Sequence, residues 1–274
     1  MSTRISICGM RKKLGFIGTG NMATALIGAV IDGGFTAAED VYGFDIHPPA
    51  LENVITAYGI NGCESSTELA SIVDVLFLSV KPQNIREVSS EISSTVGETL
   101  VVSIAAGINL KLLESFFQKV IRIMPNTPCL VGEMAAGMSP GKEVVDKEVE
   151  YVKELLSCAG VVFELDEHLL DAVTALSGSG PAFVAYVIDA FAEAAVELGI
   201  EKEVALKLSE QTAHGTGRLL LEKDLAPAEL IEMVKSPGGT TEAGLDVLEN
   251  SNVKDVLKNV IKAAEKRGIE LSKE

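Results

Sequence analysis

Gly18, Gly20 and Ala23 stand in the order Gly-x-Gly-x-x-Ala. The motif follows the apolar run Leu14-Gly15-Phe16-Ile17 and leads into Thr24-Ala25-Leu26-Ile27-Gly28-Ala29-Val30-Ile31, which reads as a helix. That layout is what a dinucleotide pyrophosphate needs. The first glycine turns the chain out of a strand, and the second lets the backbone approach the phosphates. The small third residue lets the helix pack close to the sheet, with its N-terminus toward the negative charge. A turn built for packing alone is the plainer alternative.

Asp45 lies 22 residues past Ala23, at the end of a second apolar run. An acidic residue there accepts hydrogen bonds from the adenosine ribose and repels a 2′-phosphate. No Arg follows it; the next residues are Ile46-His47-Pro48-Pro49. The cofactor expected is therefore NAD(P)H, leaning to NADH. The plainer role for Asp45 is to cap a turn without touching ribose. Lys81, in Ser79-Val80-Lys81-Pro82, falls where ligands gather beyond strand ends and offers a cation. The small residues of Ser103-Ile104-Ala105-Ala106-Gly107 leave room for a flat ring or for close packing. Far along the chain, Ser236-Pro237-Gly238-Gly239-Thr240-Thr241 precedes a helical pattern. Several N–H groups can converge there on a carboxylate, and Thr241 adds a hydroxyl; a capped helix start is the plainer reading.

The elements that position these residues follow from periodicity. Strands are expected at 14–18, 41–45, 74–80, 99–104, 120–124, 134–138 and 161–165. Helices are expected at 21–31, 50–58, 66–72, 85–92, 110–117 and 144–157. Apolar, β-branched runs separated by helices mean βαβ units and a mostly parallel sheet buried on both faces, with the last two strands candidates for antiparallel pairing. After about Asp166 the strand pattern stops. Ser179-Gly180-Pro181 reads as a helix start, with Pro in the first turn. The helix expected at 182–198 carries Asp189, Glu193 and Glu197 in one acidic row, and its other faces are apolar. So much apolar surface in a short helical region suggests an oligomer interface, against an ordinary helical core. The division expected is 1–166 for a Rossmann-type α/β domain and 167–274 for an all-α domain.

Composition narrows the class. The chain has 274 residues, 47% of them hydrophobic, enough for a full core. A formal charge of −16 repels nucleic acid and anionic membranes, and with no Trp and 5% aromatics a stacking platform for single strands is not expected. No apolar run of transmembrane length is evident, and 1–8 lack the apolar stretch and cleavage site of a signal peptide; a soluble cytoplasmic protein is expected. Cys8, Cys63, Cys129 and Cys158 are scattered, and His47, His168 and His214 show no ligand spacing, so no metal site is expected. Residues 5–8 are a candidate extra edge strand.

Three segments together carry a family resemblance: Gly15-Phe16-Ile17-Gly18-Thr19-Gly20-Asn21-Met22-Ala23, Leu176-Ser177-Gly178-Ser179-Gly180-Pro181-Ala182-Phe183, and Ser236-Pro237-Gly238-Gly239-Thr240-Thr241. They resemble pyrroline-5-carboxylate reductases, with support from Ser79-Val80-Lys81-Pro82 and Pro125-Asn126-Thr127-Pro128. The resemblance runs from Leu14 to about Arg267. It implies hydride transfer from a nicotinamide cofactor to the C=N carbon of 1-pyrroline-5-carboxylate, giving L-proline. It also implies an all-α C-terminal dimerisation domain after the Rossmann domain, intertwined homodimers that often assemble to decamers, and a substrate site completed by the partner. By position, Thr241 is the residue whose hydroxyl meets the ring nitrogen. Gly239, Thr240 and Thr241 supply N–H groups to the carboxylate, and Glu167 matches an acidic substrate-site position. Gly18, Thr19, Gly20, Asn21 and Met22 form the pyrophosphate loop; Ser66, Val80, Lys81 and Ala106 match further cofactor contacts. Family members often carry Ser, Asn or Arg where Phe44-Asp45-Ile46 stands here, which touches cofactor preference and not the reaction. The β-hydroxyacid dehydrogenases share the opening loop, but their helix after the SGG-type segment carries Lys and Asn, absent from 181–189 here. A non-catalytic paralogue is expected to have lost the Thr241 hydroxyl or the glycines before it.

Overall fold

Uninterrupted apolar runs make the middle of the sheet, because strands covered by helices on both faces have no side to give to water. In the computed structural model, which describes residues 12–271, β1 (Leu14–Ile17), β4 (Val75–Leu78) and β5 (Leu100–Ser103) are buried at every position. The other strands are β2 (Val41–Phe44), β3 (Asn61–Gly62), β6 (Val120–Met124), β7 (Met134–Pro140) and β8 (Gly160–Glu164). The sheet order is β3-β2-β1-β4-β5-β6-β7-β8. Strands β1 to β6 pair in parallel; β7 is antiparallel to β6, and β8 parallel to β7. The order reverses between β1 and β4, the switch point at which such sheets bind ligands. There Phe16 and Phe77, paired in register, stack with centroids 4.6 Å apart.

The helices are α1 (Asn21–Asp32), α2 (Pro48–Tyr58), α3 (Ser66–Ile72), α4 (Ile85–Val96), α5 (Leu110–Leu113), α6 (Asp146–Leu156), α7 (Leu170–Val173), α8 (Gly180–Glu197), α9 (Lys202–Lys223), α10 (Pro227–Val234), α11 (Thr240–Glu249) and α12 (Val253–Leu271). The sheet is sandwiched between two apolar clusters. One gathers Leu26, Ile27 and Val30 of α1 with Val152 and Leu155 of α6; the other gathers Leu69 of α3 with Ile85 and Ile92 of α4. The chain divides into two compact units, 12–179 with 264–271, and 180–263.

Three expectations need correction, and a fourth holds with an addition. The two-residue β3 was missed because Asn-Gly carries no apolar signal. Helix α5 stops at Leu113, not Phe117: Ser115 and Phe116 donate to carbonyls three residues back, and the helix ends in a tight turn. Ser179-Gly180-Pro181 does open a helix, α8 from Gly180 with Pro181 in its first turn, but the sequence did not show that helical turns lead up to it. Helical backbone runs on from α7 through a π segment, with Ser179 N–H donating to Thr174 O, five residues back, at 2.8 Å. Finally, Glu167–Glu197 is a stretch long and apolar enough to cross a membrane by length and composition, with mean hydropathy 1.2, where none was expected. The sequence hid it because the glycines and serines of 177–180 read as a break. The candidate edge strand at 5–8 lies outside the described residues.

Candidate active site

The glycine loop is shaped for a phosphate. Gly18 adopts φ +89°, and a Cβ there would come within 2.8 Å of the Ser79 carbonyl oxygen, so β1 turns against the end of β4 only with glycine. Its N–H donates to Phe44 O at 2.8 Å. Gly20 is the N-cap of α1 and offers no side-chain cap, and a Cβ there would meet nothing within 4 Å. The first-turn N–H groups of Asn21, Met22 and Ala23 have no acceptors inside the helix, and no acidic side chain stands in that turn. A dinucleotide pyrophosphate fits this cradle.

Asp45 is woven into the loop. Its Oδ2 accepts the Thr19 N–H at 2.7 Å and the Thr19 hydroxyl at 3.2 Å, and its Oδ1 accepts the His47 N–H at 2.9 Å. Of about four acceptor positions on a carboxylate, three are taken. The capping role foreseen as the plainer alternative is thus present, and little is left for ribose. Thr19 is 3% exposed. Val80 follows the end of β4, its N within 3.0 Å of where a Gly18 Cβ would lie, and Lys81 beyond it is exposed. Ala106, past β5, is exposed. Gly18, Thr19, Asp45 and Val80 are therefore neighbours. Ser66 is not turned outward with them: it is buried, and its hydroxyl donates to Glu91 Oε1 at 2.6 Å.

Glu167 stands in a charged cluster that sequence reasoning did not find. Its Oε1 accepts the Leu110 N–H at 2.5 Å and Arg122 Nη1 at 3.2 Å, while Arg122 Nη2 reaches Asp171 Oδ1 at 3.4 Å. The signal was a lone Arg within the apolar strand Val120-Ile121-Arg122-Ile123-Met124. Asn126 has a structural job at this point of the chain. Pro181 has no N–H to give the Ser177 carbonyl four residues back. Asn126 Nδ2 donates to that carbonyl at 3.0 Å, and Asn126 Oδ1 takes the Ala135 N–H at 2.9 Å. Burial pushes the Cys129 thiol up to about 11 and raises Cys63 as well, so neither is a thiolate at neutral pH.

In the helical unit, Gly238 has φ +68° and a Cβ on Gly239 would overlap Ser236 Oγ, so both glycines are needed to bring the chain into α11. Gly239 is the N-cap without a side-chain cap. Thr240 and Thr241 open the helix, and their N–H groups have no acceptor within it. Glu242 turns back to accept the Gly238 N–H at 2.7 Å, fixing the loop without covering that turn. Thr241 also lines a cavity of about 710 Å³ with Thr212, Thr216, Leu220, Ile231 and Leu245. Gly239, Thr240 and Thr241 therefore stand together at one helix start that lacks a side-chain cap.

A mostly parallel sheet with a glycine loop at its switch point, followed by a helical region, defines a dinucleotide-binding α/β protein. Residues 167–271 match the family model for pyrroline-5-carboxylate reductase dimerisation, and 13–107 match that for NADP oxidoreductase, coenzyme F420-dependent. A pyrroline-5-carboxylate reductase of Methanosarcina acetivorans is 37% identical over 266 residues, 96% of this chain and 98% of that one. That of Escherichia coli is 37% identical over 94% of this chain and 97% of its own. Among solved structures, the reductase of Coxiella burnetii superposes with a TM-score of 0.92 at 32% identity, covering 96% and 99% of the two chains. The Plasmodium falciparum enzyme, solved with NADP bound, gives 0.83 at 30% identity over 96% and 100%. The chain belongs to the pyrroline-5-carboxylate reductase family.

Proposed function

We infer that this chain reduces the C=N bond of 1-pyrroline-5-carboxylate to give L-proline, the last step of proline biosynthesis, with NAD(P)H as reductant. The observation that carries the reading is that each unit holds one such site: uncapped N–H groups at the start of α1, and a second uncapped helix start beside the Thr241 hydroxyl. The bound cofactor supplies the hydride; the protein supplies geometry. Asn21, Met22 and the loop Gly18-Thr19-Gly20 hold the pyrophosphate, with Val80, Lys81 and Ala106 beside it. Gly239, Thr240 and Thr241 hold the substrate carboxylate through N–H groups. The Thr241 hydroxyl donates to the ring nitrogen, which leaves the adjacent carbon electron-poor and steadies the nitrogen as charge shifts. A threonine is a poor proton reservoir, so the proton comes from solvent or from an already protonated imine. Holding donor and acceptor carbons together accounts for much of the rate.

We propose NADH as the preferred form. Three hydrogen bonds fix the Asp45 carboxylate at the end of β2, and a 2′-phosphate there meets a negative charge that cannot turn away. We further propose a cytoplasmic homodimer, open to assembly as a decamer. Its cofactor domain is 1–166 and its substrate and dimerisation domain 167–274, without nucleic-acid or membrane partners. The test is one assay of 1-pyrroline-5-carboxylate reduction with NADH and NADPH in parallel. The expected result is a kcat/KM at least about tenfold higher with NADH, equivalent to ~1.4 kcal/mol. A preference for NADPH overturns the Asp45 argument alone; oxidation of neither overturns the reaction.

A further inference from the structure

Helix α2 opens beyond the carboxyl end of β2, where the adenosine ribose of a dinucleotide falls in such sheets, yet it has no donor to offer an anion. His47 is its N-cap, and Pro48 and Pro49 are its first two residues. The His47 N–H is taken by Asp45 Oδ1 at 2.9 Å. Pro48 and Pro49 have no N–H at all. The Ala50 N–H turns back to His47 O at 2.9 Å. Every group with which this helix start could meet an anion is therefore removed or occupied. Helix α1, whose first turn holds no proline, keeps its donors.

The neighbouring helix start is no more welcoming. The Cys63 N–H donates to Gly43 O at 2.9 Å, which sets the start of α3 beside the end of β2. There Ser65 Oγ accepts the Glu68 N–H at 3.1 Å, and the Glu68 carboxylate accepts the Glu64 N–H at 2.7 Å. Glu91 brings a second carboxylate, bonded to the Ser66 hydroxyl at 2.6 Å. Residues 14–80 hold eight Asp and Glu and neither Lys nor Arg. Lys13, just before β1, lies over the Tyr42 ring at the amino ends of the strands. Lys81 follows β4, which β1 separates from β2.

We propose, resting on the NADH reading of Asp45, that Pro48 and Pro49 are specificity-determining residues: they strip α2 of the N–H groups that would hold the 2′-phosphate of NADPH. Exclusion of that phosphate is then twofold. Asp45 repels it, and the helix behind Asp45 gives it nothing to bind. A phosphate leaving water needs donors to replace its hydration. Removing the Asp45 charge lifts the repulsion but leaves the donors missing. Two peptide N–H groups at a helix start would make charge-assisted bonds and add the favourable end of the helix dipole.

The test is calorimetric titration of the full-length protein with NADH and with NADPH. His47 is the one side chain in 14–80 that can carry positive charge, so the titrations are run at pH 8, where a free imidazole is neutral. The unmodified chain is compared with Asp45→Ser, with the double variant Pro48→Ala and Pro49→Ala, and with all three changes together. Asp45→Ser alone is expected to tighten NADPH by about threefold or less and to leave NADH the better ligand. The double alanine variant should bind NADPH within about twofold of the unmodified chain, because Asp45 still repels the phosphate. The triple variant should bind NADPH about tenfold more tightly than Asp45→Ser does, with NADH within about threefold. Asp45→Asn, which keeps one oxygen for the loop, replaces serine in both chains if the serine variants do not fold. An Asp45→Ser chain that by itself prefers NADPH, or a triple variant no better than Asp45→Ser, overturns the role of the prolines and leaves the Asp45 reading standing. An unmodified chain that binds NADPH more tightly than NADH overturns the Asp45 reading and the exclusion built on it.

Discussion

Strands β1, β4 and β5 have no residue open to solvent, and two apolar clusters close over both faces of their sheet. In 180–263, by contrast, Ala192, Ala205 and Ser209 are the buried residues. There Phe191, Leu208, Leu221, Val247 and Leu257 stand between 49% and 73% exposed. The sequence is no less apolar in the second region; α8 alone reads Gly-Pro-Ala-Phe-Val-Ala-Tyr-Val-Ile. What differs is where the covering surface comes from. A sheet with helices on both faces supplies its own, whereas an α8–α9 pair with short helices cannot. Apolar surface of that extent marks an interface, and the match of 167–271 to a dimerisation family supports oligomerisation through this region. The membrane-length stretch Glu167–Glu197 falls within that region.

The largest expected effect comes from charging that surface. Phe191 lines the cavity beside Thr241 and is 59% exposed in a single chain. In a monomer, Phe191→Asp would be nearly neutral. In a dimer it buries an unpaired carboxylate in each copy, a cost of several kcal/mol. The expected outcome is dissociation on sedimentation and loss of most activity; an intact, active assembly would break the comparison. Next in size is Thr241→Ala. Turnover should fall about 10- to 100-fold for one lost polarising hydrogen bond, with NADH affinity held. That separates chemistry in the helical unit from cofactor binding in the sheet. Smaller still is Gly18→Ala, whose Cβ meets the Ser79 carbonyl at 2.8 Å in a left-handed backbone. It should lower stability by about 1–2 kcal/mol and weaken NADH, seen by thermal melting and titration, without changing the oligomer.

Legibility in the sequence followed the same divide. Leu-Gly-Phe-Ile, Val-Leu-Phe-Leu and Val-Ile-Arg-Ile-Met announced their strands because burial on two faces leaves one simple pattern. The glycine loop and Gly239-Thr240-Thr241 were visible because backbone geometry restricts their residue types. Hidden were features made by distant partners. Arg122 gave a weak local signal, but nothing nearby told of Glu167, Asp171 or the Leu110 N–H. The occupation of Asp45 by Thr19 depends on two loops meeting. Nor did 177–181 reveal the helical turns that lead up to α8, since its serine and glycine composition reads only as a break, while the Ser177 carbonyl is satisfied by Asn126 from the loop after β6.

The smallest effect is confined to the core that packs against the sheet, and to alkaline pH. Cys129 is 2% exposed, and burial raises its thiol from 9.0 to about 11. In the unfolded chain the thiol loses its proton near 9; in the folded chain it keeps it. Between those values the folded state binds more protons, so stability falls as pH rises. Below pH 9 both states hold the proton and nothing changes. A shift of this size corresponds to roughly 2–3 kcal/mol once pH passes 11, and about half of that near pH 10. Other groups titrate in the same range, so the informative quantity is the difference between the chain and Cys129→Ala in urea melts at pH 8 and pH 10. The alanine variant loses side-chain packing at both pH values but loses the thiol titration altogether. The stability gap between the two proteins should therefore narrow on going to pH 10. A constant gap would mean that water reaches Cys129, and that the core of the sheet is less dry than its strands imply.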